Sequence, residues 1–78
     1  MEIAPSARKH RIRDDDIRHA VQMPLRLIDQ EDNLMLIIGP DRSGRLLEVV
    51  VLDPHEVEGE SVAIHAMRLR QSLHRYLR

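Results

Sequence analysis

The chain has 78 residues, 12 Lys and Arg against 13 Asp and Glu, and 42% apolar residues. That length makes one domain, near the size at which a single core is marginal, and that apolar content argues against disorder. The absence of cysteine excludes disulfides and thiolate metal sites. One Tyr with no Phe or Trp removes the aromatic stacking platforms that many single-strand RNA binders use. A net charge of −1 gives no global attraction to nucleic acid, so any such binding must come from local patches.

The opening stretch, MEIAPSARKHRIR, carries no signal-peptide apolar run, and no apolar run approaches membrane-spanning length. A cytoplasmic protein with no membrane partner is therefore expected. Residues 6–10, SARKH, read as a short helical turn. Asp14, Asp15 and Asp16 then sit where acids favour a helix start, through capping and the helix dipole. Ile17, Ala20 and Val21 follow at helical spacing, and Pro24 stops the pattern, so the sequence predicts a helix over 14–22.

The middle of the chain changes period. LRLIDQE (25–31) alternates, LMLIIGP (34–40) is almost wholly apolar, RLLEVVVLD (45–53) is rich in β-branched residues, and SVAIHAM (61–67) follows. Asp32-Asn33 suits a tight hairpin connection, and DRSG (41–44) suits a type I turn. An acidic connection over 54–60 links the last two strands. Together these predict a four-stranded antiparallel meander. Leu69, Leu73, Tyr76 and Leu77 then recur on one face of an expected C-terminal helix. No acid follows Ala63, whereas Arg and His recur to the end. The expected fold is α+β: N-terminal helices, the meander, and the C-terminal helix.

If every hairpin closes symmetrically, Ile28, Ile37, Glu48 and His65 form one row across the sheet. Arg26, Gly39, Leu46 and Met67 form another row on the same face. The opposite face then carries Leu36, Ile38, Leu47, Val49, Val51, Val62, Ile64 and Ala66, and receives the helices. The Glu48–His65 face is too apolar to be wet and too polar to be core. A partner chain over it, or a cleft, is the expected answer.

The Lys9-His10 pair, RIRDDDIRHAV after it, the apolar meander, and the closing VAIHAMRLR…RYL resemble the BrnT-type and related small toxins of bacterial toxin–antitoxin pairs. Lys9, His10, Asp16, Ile17, Ile64, Ala66, Arg68 and Tyr76 carry the resemblance, with Arg11 where that family has a glycine. The resemblance implies a RelE-like fold and a metal-independent ribonuclease that acts on mRNA and is neutralised by a cognate antitoxin. His65 would serve as base or acid, with Glu48 setting its tautomer, and His10, Arg68 and Tyr76 would complete the catalytic set. Lys9, Arg45, Arg70 and Arg75 would grip phosphate.

Plainer readings stand beside each of these. Glu48 and His65 also read as an ordinary cross-strand ion pair, and the basic terminal face as a solvated one. The other class of function is a non-enzymatic interaction module that forms a homodimer, or binds a partner, through the half-polar sheet face. His10, His19, His65 and His74 have no ligand spacing behind them, so neither metal nor cofactor is expected.

Overall fold

A computed structural model describes residues 1–53 and 59–78. Most of the expected acidic connection, 54–58, lies outside the described residues. The helix predicted over 14–22 is α1, Asp14–Gln22. Its N-cap is Arg13, which caps nothing with its side chain, so the three acids occupy the first turn itself. There they meet the positive end of the helix dipole and two guanidinium groups: Arg8 bonds Asp14 at 2.8 Å, and Arg42 bonds Asp16 at 2.9 Å. Ile17 and Ala20 are fully buried against the sheet. The short turn expected near the start is a 3-10 segment, Pro5–Arg8.

The sheet has five strands: β1 (Glu2–Ile3), β2 (Arg26–Asp29), β3 (Leu34–Pro40), β4 (Leu46–Leu52) and β5 (Val62–Arg68), in the order β1-β5-β4-β3-β2. β2 to β5 run antiparallel in succession, as expected. The four-stranded meander is nevertheless incomplete as a description, because β1 adds a strand parallel to β5 and makes the sheet mixed. A strand of two residues carries almost no periodic signal. The second correction is at the C-terminus, where Gln71–Leu77 form a 3-10 segment in place of an α-helix. No helix among the described residues is long and apolar enough to cross a membrane.

Both tight turns are one residue longer than expected, and this moves the register. Glu31, Asp32 and Asn33 all take positive φ (67°, 51° and 64°), so Gln30 rather than Glu31 closes on Leu34. In the second hairpin Gly44 has φ 92° and Asp41 pairs with Arg45, giving a three-residue loop with glycine in the left-handed position. Ile38, not Ile37, therefore lies opposite Glu48, and Leu36 lies opposite Ile28. A one-residue shift turns β3 over. Ile37 joins the core beneath the helix with Leu47, Val49, Val51, Ala63 and Ala66, whereas Leu36 and Ile38 face the side of Glu48.

Leu36 and Ile38 are still buried, at 5% and 0% exposure. The chain's own last residues cover their side of the sheet. The Arg70 amide bonds Glu48 on β4, and six residues later the Tyr76 carbonyl accepts from Arg26 on β2 at 2.9 Å. The terminal segment thus crosses the face on which the sequence suggested a partner chain. On the helix side, Gly39 permits close approach: a Cβ there would collide with the Ala20 carbonyl oxygen. His19 locks the same contact by donating from Nδ1 to the Pro40 carbonyl at 2.8 Å.

Candidate functional site

Glu48 is the centre of the polar face, and its side chain is completely buried. Burying a carboxylate is costly unless donors replace water. His65 Nε2 lies 3.0 Å from Oε1, Arg70 Nε donates to the same oxygen at 2.7 Å, and the Arg70 amide donates to Oε2 at 3.2 Å. His65 reaches Glu48 although it pairs with Val50, while Glu48 pairs with Met67. An irregularity at Val50/Val51 leaves the β4–β5 register two residues from the symmetric expectation, and an even displacement keeps both side chains on one face. The two groups meet on a cross-strand diagonal.

The bond to Glu48 fixes the imidazole's chemistry. A carboxylate accepts, so Nε2 carries the proton and the lone pair of neutral His65 resides on Nδ1. The side chain is 30% exposed. The His10 ring stands edge-on to it, with centroids 5.8 Å apart. This brings together His65, Glu48, Arg70 and His10, four of the residues singled out in the sequence.

The others go elsewhere. Arg68 pairs with Leu47, which faces the helix, so its side chain leaves from the opposite side to His65. Its Nη1 donates to Asp41 Oδ2 at 2.7 Å. Asp41 is buried, and its other oxygen accepts from the Ser43 amide, the Ser43 hydroxyl and the Arg45 amide, each at 2.9 Å. The Arg68 guanidinium, aided by these donors, holds the Asp41 carboxyl well below the usual carboxylate range. Arg45 is exposed at that turn, and Lys9 is exposed beside His10. Arg75 lies over the Tyr76 ring at 4.7 Å and bonds the Ser72 carbonyl. Tyr76 itself is half-buried in the terminal segment.

The larger described clefts lie apart from His65. One of about 610 Å³ is bordered by Met1, Arg18, Glu60 and Val62, and one of about 360 Å³ by Arg13, Asp16, Arg42 and Ser43. The Glu48 cluster reaches solvent through the partly exposed His65 and the exposed Arg70.

Sequence reasoning assigned Arg70 to phosphate and did not foresee its hold on Glu48, nor the Asp41–Arg68 pair. Strand alternation gave no signal for the first: Arg68 and Arg70 share one parity, opposite to that of His65, and Arg70 reaches Glu48 from beyond the end of β5. The molecule is thus an α+β protein with a carboxylate–imidazole–guanidinium cluster on the sheet face opposite its helix. Compared with protein-family models, curated proteins and solved structures, the chain matches none of them.

Proposed function

We propose that this chain is the toxin of a bacterial toxin–antitoxin pair, with a RelE-like fold. In this reading it is a metal-independent ribonuclease that cleaves mRNA in the cytoplasm and is silenced by a cognate antitoxin. The observation that supports it most is the bond from His65 Nε2 to the buried Glu48, which leaves the lone pair of Nδ1 as a base on a partly exposed side chain.

The chemistry is transesterification within RNA. A 2′-hydroxyl loses its proton to His65 Nδ1 as its oxygen bonds the adjacent phosphorus, and the bond to the 5′-oxygen breaks. His10, as imidazolium, returns a proton to that leaving oxygen. Arg70 keeps Nε on Glu48 and has its Nη groups left for the phosphoryl oxygens, with Lys9 adding charge nearby. Arg68 is committed to Asp41 on the other side of the sheet, so it drops out of the catalytic set and Arg70 is the guanidinium beside His65. Tyr76 and Arg75 act through the terminal segment rather than on the reacting atoms.

The alternative, a non-enzymatic module docking through the half-polar sheet face, is less well supported because Leu36 and Ile38 already lie under the chain's own terminal residues.

The test is expression of wild type and His65→Ala in a bacterial host, with growth and total RNA followed together. Wild type should arrest growth and cleave mRNA. His65→Ala should do neither, with a melting temperature within about 5 °C of wild type, since the residue is partly exposed. A harmless wild type that leaves RNA intact would remove the enzymatic reading.

A further inference from the structure

The sheet ends at β2, and the helix-side surface of that strand is bare. α1 packs on β3 and β4. Leu27 pairs with Ile37 and so faces the helix side, yet it is 60% exposed. Leu25 and Met23, just before it in the chain, are 51% and 58% exposed. Edges of this kind are templates for another strand unless they are guarded. The opposite edge is closed off by the two-residue β1; β2 has no such cover among the described residues.

Charge completes the surface. Arg26 donates to three carbonyl oxygens, those of Leu25, Tyr76 and Leu77, and to no carboxylate among the described residues. At the other end of the strand, Asp29 accepts only the Glu31 amide among the described residues. Glu31 and Asp32 join no ion pair among the described residues. A strand with an uncompensated cation at its start and uncompensated acids after its end is complementary to its own reverse.

We propose that a second copy of this chain pairs antiparallel with the β2 edge, making one continuous sheet across a two-fold axis. The ladder fixes the register. The Gln30 amide bonds Leu34, so Gln30, Ile28 and Arg26 direct their backbone groups at β3, and Leu27 and Asp29 direct theirs outward. Leu27 and Asp29 of one copy then exchange backbone hydrogen bonds with Asp29 and Leu27 of the second. Ile28 meets its own counterpart on the axis. Arg26 falls opposite Gln30 of the second copy, with that copy's Glu31 and Asp32 next along. On the helix side Leu27 then lies beside Asp29 of the second copy, and the two Leu27 side chains stand diagonally across the axis. This dimer leaves the terminal segment in place over Glu48, and it does not depend on the ribonuclease reading.

Sedimentation of the purified full chain tests it, comparing wild type with Leu27→Asp and Leu52→Asp. Leu52 is a control: it is 38% exposed but lies at the end of β4. Wild type should be dimeric at about 100 µM, and Leu27→Asp, which sets a second acid opposite Asp29 of the other copy, should raise the dissociation constant at least about 30-fold. Leu52→Asp should leave it unchanged. Hydrogen exchange on wild type supplies a readout independent of any variant: the Leu27 and Asp29 amides should gain protection as concentration rises. A monomeric wild type up to about 1 mM would overturn the proposal and leave the strip to a different protein. So would a dimer indifferent to Leu27→Asp, or Leu27 and Asp29 amides that exchange freely within it.

Discussion

A carboxylate as deeply buried as Glu48 is tolerable only because each oxygen has a donor, and Asp41 solves the same problem with a different set. Asp41 also makes stability depend on pH with a definite sign. Its pKa is depressed in the folded chain by Arg68, so the stability it contributes is present above about pH 4, the unfolded carboxylate range. That contribution is lost as pH falls through the lower folded value. Asp41→Asn should therefore melt below wild type at pH 7, and the gap should narrow steadily as pH falls below about 4. Thermal melts at a series of pH values check this, and parallel curves would count against it. The sequence placed Asp41 correctly as the first residue of a turn. It did not show that Arg68 would be its partner, because the two are 27 positions apart and meet only once β4 and β5 are paired.

Among the elements, α1 was legible to the residue, since acids at its start, helical apolar spacing and a following proline all point the same way. The hairpins were legible in place but not in length. Asp32-Asn33 and DRSG both look like two-residue connections, yet each recruits a third residue into the left-handed region, and that one residue turns β3 over. The two glycines near these turns should respond differently to alanine. At Gly39 a methyl group collides with the helix backbone, which should cost about 3 kcal/mol and lower the melting temperature by more than 10 °C. At Gly44 nothing lies within 4 Å, so only the positive φ matters and the cost should be about 1 kcal/mol. Equal losses at the two positions in thermal melts would contradict this account of the turn and the helix contact.

Over the whole molecule the near-zero net charge conceals a difference between the two ends of the strands. Arg42, Arg68 and Arg70 lie at the end that holds the β3–β4 turn, each bonded to an acid (Asp16, Asp41 and Glu48), while Arg45 at that turn joins no ion pair among the described residues. Asp29, Glu31, Asp32 and Asp53 gather at the other end, and none of them joins an ion pair among the described residues. A polyanion should thus approach by the end that carries Arg45. On the ribonuclease reading, a single-stranded RNA oligonucleotide should bind with an affinity that falls steeply with salt. Arg45→Ala should flatten the slope of log affinity against log salt by about 0.7, the value for one lost phosphate contact. Glu31→Gln, at the acidic end, should not change it. Fluorescence anisotropy across a salt series measures both, and identical slopes for wild type and Arg45→Ala would speak against RNA lying along that end.

The order of residues by itself determined the α+β class, the limits of α1 and the segments of β2 to β5, because these follow from local periodicity; Glu48 and His65 share a face only because their register is displaced by an even number of residues. Only tertiary structure decided which oxygen atoms the arginines would occupy, that a two-residue strand would join the sheet, and that the last residues would fold back over Glu48. Those outcomes depend on register and on contacts between distant positions, where a shift of one residue reverses a face and no local pattern records the choice.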